Sequence, residues 1–318
     1  MTAIPKPTDT IEGRIYAALE AKQEPPRPHL GASQIGHPCE RWLWLSYRWA
    51  VIEKHKGRVL RLFRRGQDEE ARIIEDLRAA GLEISETDDQ GHQHRVSFGL
   101  HFGGSMDGIV KTGVPEAPNK PHVLEIKTHS KKSFDDLDKH GVQKSKQQHY
   151  AQMQVYMQGS GIDRALYVAI CKDDDRIYTE RVRYSKQDAD ALVQRAERII
   201  NAVEPPAKIS EDPSWYQCRW CAAHGLCHAG EPLRQVNCRS CAHSTVTTDS
   251  DWKCERHQAE IPVDAQREGC RSHVPHPHLI PWPILDSQDE WTAIIDIPGL
   301  GETLVGEGGM DAKELLGC

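Results

Sequence analysis

The sequence predicts an α/β fold, with a mixed β-sheet flanked by helices and a small cysteine-rich module after it. Strand-like apolar runs stand at 105–111, 122–128, 165–171 and 176–184, with helical periods before, between and after them. Beyond Trp215 this periodicity gives way to cysteine, histidine, proline and tryptophan. Such a stretch cannot build a large apolar core, so bound metal is expected to organise it.

Each element has a local cause. Ile11, Ile15, Ala18 and Leu19 recur at helical spacing within 8–22, and Pro25, Pro26 and Pro28 end that helix. A second helix is expected over 39–51, and a third from Gly66 to Gly81, a glycine suited to the position after a helix C-terminus. Strands are expected at 94–102 and 105–111. The turn-rich segment 112–121 joins the latter to 122–128 as a hairpin. A helix follows at 146–158, then strands at 165–171 and 176–184. Ser185 and Asp188 form a capping-box pattern for a helix over 186–203, which Pro205 and Pro206 stop.

The 318 residues allow a sizeable core, and no apolar stretch reaches membrane-helix length. The opening MTAIPKPTDTIEGR lacks the basic-then-apolar pattern of a secretory signal, so a cytoplasmic location is expected. The net charge of −7 does not advertise nucleic acid, but charge is unevenly placed. Eight Lys or Arg stand against Glu53 between Arg41 and Arg65, a run that could meet phosphates or form a solvated face. From Asp286 onward eight Asp or Glu stand against Lys313, which reads as an acidic tail over 281–318.

One constellation carries chemistry. Glu125 and Lys127 lie two apart on a strand and share a face, while Leu124 and Ile126 point into the core. Asp107 sits on the preceding hairpin arm. Two carboxylates and an ammonium converging there form a site for Mg²⁺ or Mn²⁺, which can polarise a phosphate and acidify a water. Lys127 would orient that water or offset developing charge. Glu70 lies on the apolar stripe of Ile73, Ile74 and Leu77, an expensive place for a carboxylate unless a cation meets it.

Asp107, then Glu125-x-Lys127, then the segment His149–Met157 rich in Tyr and Gln, resembles the PD-(D/E)xK nuclease superfamily. It is most similar to the RecB-like and lambda-exonuclease-like branches, whose Gly-x-x-x-Glu helix matches Gly66 to Glu70. The resemblance covers about residues 30–230 and implies a restriction-endonuclease-like core. Met106 stands where the family's name places Pro. The resemblance implies that Asp107, Glu125 and the Ile126 carbonyl hold the metal, with Glu70 assisting. It also implies Gln152 near the active site, holding substrate or Lys127, with Tyr150 and Tyr156 as supports. The implied activity is a DNA exonuclease serving recombination or DNA-end processing of phage type, with single strands or DNA ends as partner and a recombination or replication protein beside it. Arg41, Arg48 and Tyr150 are candidate DNA contacts. A non-catalytic binding module on the same scaffold and an electron-transfer protein are the competing readings.

Of ten cysteines, Cys171 and Cys318 stand outside any pattern. Cys218-x2-Cys221-x5-Cys227 supplies ligands that suit zinc or a cluster, and Cys39 is the upstream candidate for the fourth. This spacing resembles CRISPR-associated iron–sulfur exonucleases and the AddB-type nuclease domain, which implies a 4Fe–4S cluster clamping domain 1–232. His224 and His228 are nearby alternatives. Cys238, Cys241, Cys254 and Cys270 loosely fit a zinc-ribbon-like site in a module over 233–280, with His243, His257 or His273 as possible substitutes. Trp42, Trp44, Tyr47 and Trp49 could stack on single-stranded nucleic acid or form core.

Overall fold

The computed structural model describes residues 9–99, 101–248 and 251–317, so the first eight residues and Cys318 lie outside the described residues. Helix α1 (Ile11–Glu20) starts on a Thr10 cap, with the Thr10 hydroxyl accepting from the Gly13 amide at 3.0 Å. Strand β1 (Leu30–Gly31) and helix α2 (Glu40–Tyr47) follow. Next come α3 (Gly57–Ala79), β2 (Glu83–Ser85), β3 (Arg95–Ser97), β4 (Phe102–Ser105), β5 (Gly108–Thr112) and β6 (His122–His129). The crossover α4 (Lys131–His140), α5 (Val142–Ser145) and α6 (Gln147–Ser160) leads to β7 (Arg164–Cys171), β8 (Ile177–Arg183) and α7 (Lys186–Asn201).

The main sheet runs β2-β5-β6-β7-β8. Only its β6–β7 pair is parallel, placing Glu125 beside Tyr167 and Lys127 beside Ala169. A parallel neighbour requires a crossover, and α4 to α6 supply it. β7 is buried almost throughout because both sheet faces are covered. On one face Ile73 and Ile74 of α3 pack with Leu124, Ile126, Leu166 and Val168. On the other, Val123, Tyr167 and Ala169 meet Met153 and Tyr156 of α6.

Several expectations shift. α3 begins at Gly57, well before Gly66. Its first half carries Val59, Leu60, Leu62 and Phe63 at helical spacing, but these stay half-buried or exposed, so the main core does not hold it. It is held by α1 instead: the Gly57 amide donates to Glu20 Oε1 at 2.6 Å, and a Cβ at Gly57 would stand 2.4 Å from Tyr16 Cα. Segment 94–102 folds back as β3 and β4 in a small sheet with β1. The 105–111 run breaks at Met106 and Asp107, which frees Asp107 from strand pairing. Helices α4 and α5 carry no sequence expectation at all. Ser185 caps α7 through the Asp188 amide, but the Asp188 carboxylate accepts from Tyr150 instead of closing the box, and Gln154 takes the Ser185 amide.

The C-terminal part holds α8 (His224–His228) and the meander β9 (Ser244–Val246), β10 (Trp252–Cys254) and β11 (Ala259–Ile261). Helix α9 (Val263–Glu268) precedes a second meander, β12 (Ile284–Asp286), β13 (Thr292–Ile297) and β14 (Gly301–Gly306), with α10 (Ala312–Leu316) last. The acidic tail is therefore folded. Ala293, Ile295 and Val305 join the main core while the acidic side chains between them face water. Among the described residues, no helix is long and apolar enough to cross a membrane.

Because the α1–α3 crossing leaves no room at Gly57, Gly57→Ala is expected to destabilise the chain by about 1–3 kcal/mol. A lowered urea midpoint with an unchanged slope would show it.

Candidate active site

The site forms where β5 and β6 emerge beside α6. Glu125 is fully buried, and its Oε2 accepts from Gln152 Nε2 at 3.0 Å. Gln152 also donates to the Tyr156 hydroxyl at 3.2 Å, and Tyr156 donates to the Ser105 carbonyl at 2.6 Å. α6 thus grips the carboxylate and the strand end together. Gln152 holds Glu125, not Lys127.

The Lys127 ammonium contacts Glu125 Oε1, lies 3.9 Å from Asp107 Oδ2, and donates to the Ile126 carbonyl at 3.1 Å. Glu125 Oε1 makes this contact as an ion pair, without a well-directed hydrogen bond. Asp107 Oδ2 accepts from the Ile126 amide at 2.7 Å, which aims the loop carboxylate at the strand. The sequence-predicted Asp107, Glu125, Ile126 and Lys127 therefore converge.

Electrostatics bring Glu70 into the same group. Burial, then the Asp107 charge, pushes its carboxyl up to about 7. Burial pushes Glu125 up to about 8 despite the opposing pull of Lys127. Burial works against the Lys127 charge, but Glu125 and Asp107 overcome it and hold the ammonium well above its ordinary range. Carboxylates crowded and desolvated in this way are stabilised by a nearby cation, which Lys127 supplies here.

The chain also matches a known family. A family model for the PD-(D/E)XK nuclease superfamily matches residues 14–228, about two thirds of the chain. The chain belongs to the PD-(D/E)XK nuclease superfamily. Solved structures give weaker likenesses. The crystal structure of SSO0001 has a TM-score of 0.42 at 15% identity, covering 69% of this chain and 96% of that one. LHK-Exo in complex with dAMP has a TM-score of 0.39 at 15% identity, covering 59% and 90%. The alkaline exonuclease LHK-Exo from Laribacter hongkongensis has a TM-score of 0.36 at 16% identity, with the same coverage. No curated protein matches the chain.

The oxygen donors of this PD-(D/E)XK site suit Mg²⁺ or Mn²⁺ in kind: three carboxylates and a backbone carbonyl. Among the described residues, no three His, Cys, Asp or Glu side chains already stand as the ligand set of one ion. The Lys127 ammonium instead bridges the two carboxylates.

The first cysteine set shares one small cavity, formed by Cys39, Cys218, Cys221 and Cys227. The Trp42 amide donates to Cys39 Sγ and the Ala223 amide to Cys221 Sγ, both at 3.4 Å. Arg41 borders the cavity and donates to the Pro206 carbonyl at 2.7 Å, so it serves the cysteine region before any DNA. His224 bonds the Cys218 carbonyl at 3.1 Å, and His228 also lines the cavity. Cys238, Cys241, Cys254 and Cys270 share a second cavity, with His243, His257 and His273 at its wall.

Two expected DNA contacts are turned inward. Arg48 is buried, stacked 4.9 Å from the Trp44 ring and 5.2 Å from the Trp252 ring, because the aromatic segment is core. Trp44, Tyr47 and Trp49 are buried with it, leaving Trp42 partly exposed. The Tyr150 hydroxyl is committed to Asp188 at 2.7 Å.

Sequence reasoning missed the layer beneath the site. The Tyr167 hydroxyl lies 2.9 Å from His129 Nε2 and 2.8 Å from His149 Nδ1. Burial pulls His129 down to about 4 and His149 to about 3. Their positions offered a signal: His129 follows Lys127 by two on the same strand face, and His149 precedes Gln152 by one helical turn. Arg195 was missed too. It donates to the Ile35 and His37 carbonyls at 2.7 and 2.8 Å and holds the loop that carries Cys39.

The raised carboxyl groups give a signed pH effect. A carboxyl that binds its proton more tightly when folded loses stability as pH rises from its unfolded value towards its folded one. The depressed histidines act in the opposite sense, but only below about 6.5. Between pH 6.5 and 8.5 in metal-free buffer, the stability gap of Glu125→Gln over the wild type should therefore widen, and Mg²⁺ should narrow it by stabilising only the wild type. Urea midpoints across that range, with and without Mg²⁺, check both halves.

Proposed function

We propose that the chain is a Mg²⁺- or Mn²⁺-dependent deoxyribonuclease acting as an exonuclease on DNA ends. The observation that carries this reading is the Lys127 ammonium standing against both Glu125 and Asp107. Asp107, Glu125 and the Ile126 carbonyl would hold the ion, with Glu70 assisting. Once bound, the ion supplies Lewis acidity, polarising the phosphate and acidifying a water. Lys127 orients the attacking water and offsets charge on the phosphoryl oxygens. Gln152 fixes the rotamer of Glu125 from α6. The water oxygen forms the new bond to phosphorus as the opposite phosphorus–oxygen bond breaks, and the departing sugar oxygen ends protonated.

Substrate approach is supported by α3. Arg58, Arg61, Arg64 and Arg65 are exposed on the half of that helix that leads to Glu70, and phosphates would be met there instead of at Arg48. Cys39, Cys218, Cys221 and Cys227 are proposed to hold a 4Fe–4S cluster that ties α2 to the segment after α7. Amide donors on two of the sulfurs favour thiolate ligands. The second cysteine set is proposed to hold one Zn²⁺.

On end-labelled DNA with Mg²⁺ or Mn²⁺, the wild type should release mononucleotides or short products. Asp107→Ala and Glu125→Gln should fall to background, and Lys127→Ala should lose roughly 10²-fold or more. Intact ends with the wild type under both metals would remove the enzymatic reading and leave a binding module on this scaffold. Protein purified without oxygen should be brown, and Cys39→Ser should lose that absorbance together with iron. A colourless preparation containing zinc alone would reassign the first set to zinc.

A further inference from the structure

The second cysteine set is joined to the nuclease core by one buried cation. Arg239 stands between Cys238 and Cys241, in a tight turn whose Cys241 amide donates to the Cys238 carbonyl at 3.1 Å. It is 1% exposed, far too buried for a residue that reads DNA. Its guanidinium lies 3.8 Å from the Trp49 ring centroid, with the Trp252 and Tyr47 rings at 5.1 and 5.4 Å. Its three nitrogens are used as well. Nε donates to Gln266 Oε1 at 2.8 Å, Nη1 to the Tyr47 carbonyl at 3.0 Å and Nη2 to the Pro28 carbonyl at 2.8 Å. Neutral oxygens and aromatic faces thus carry the whole charge.

The same turn grips the two residues that follow α2 as well. Asn237 Nδ2 donates to the Trp49 carbonyl at 3.1 Å, and Arg48 Nη1 donates to the Arg239 carbonyl at 3.3 Å. Trp49 has a φ of 50°, an unfavourable conformation for a bulky residue unless its surroundings hold it. The turn is closed by a reciprocal pair, the Asn237 amide donating to Ser240 Oγ and the Ser240 amide to Asn237 Oδ1, both at 3.2 Å. The four cysteines arrive from separate segments: the turn, β10 and the second residue past α9. The cavity they share is about 20 Å³, room for a single ion and not for an organic ligand.

We infer that an ion held by Cys238, Cys241, Cys254 and Cys270 is a strut of the nuclease core, acting by fixing the turn that seats Arg239 in the Trp49–Tyr47–Trp252 cage and so setting the C-terminal end of α2. This rests on the zinc reading of that set, and it makes the module a support for the fold instead of a DNA-reading finger. Since Cys39 caps the other end of α2, the strut and the first cysteine set hold the same helix from opposite ends.

The test is amide hydrogen exchange over residues 43–51 of the full chain, with zinc and iron measured on the same samples. The wild type should carry one zinc per chain. Cys254→Ser with Cys270→Ser should lose it and exchange at least tenfold faster over 43–51. Arg239→Met should keep zinc and show the same acceleration, which separates the strut from metal binding. If the double cysteine variant does not fold, withdrawing zinc from the wild type with a chelator, with iron retained, gives the same reading. Zinc-loaded Arg239→Met exchanging like the wild type over 43–51 overturns the strut and leaves the zinc site standing. A wild type without zinc overturns both.

Discussion

The structure depends on burying the Glu125 carboxylate under α6. A charge taken from water must be met by donors or a cation, and here Gln152 and Lys127 meet it from opposite sides. That requirement places α6 over β6 and recruits Tyr156 to tie Gln152 to the end of β4. It also explains the crossover. β6 and β7 are parallel, so α4 to α6 must span the sheet face, and the span lays α6 across the strand that carries Glu125. The site is therefore held by fold topology, and loop contacts add only Asp107.

The same logic of compensated charge recurs at the other end of the domain. Arg239 and Arg48 are both buried, and aromatic rings and carbonyl oxygens surround them in place of acids. Histidines underlie the candidate site, where Tyr167 links the buried His129 to the half-buried His149. Most of these contacts join residues far apart in sequence. The Arg239 bond to the Tyr47 carbonyl spans 192 residues.

How much was legible follows from how local each signal is. Glu125 and Lys127 could be placed on one face because strand alternation has a period of two. The α7 cap was visible because Ser185 and the amide it caps are three residues apart. Helix α3 was seen only from Gly66, although Val59, Leu60, Leu62 and Phe63 recur at helical spacing among the arginines of its first half, which packs on α1 outside the main core. The Asp188 carboxylate was assigned to a local box, and a tyrosine from another helix outbid the local partner. The basic and aromatic residues near α2 were ambiguous by composition, and burial divided them: Arg48 went inward while Arg58, Arg61, Arg64 and Arg65 stayed in water.

By itself the sequence determined the α/β order of elements, the carboxylate–lysine pattern on adjoining strands and the grouping of eight cysteines into two sets. Those features are written in spacings of a few residues, or in residue types with few other uses. Tertiary structure alone decided that Glu125 is sealed under α6, that Gln152 serves it, that the acidic tail is a folded meander, and that the CxxC turn of the second set reaches into the nuclease core. Each of these is a match between surfaces distant along the chain, and no local period records which surfaces will meet.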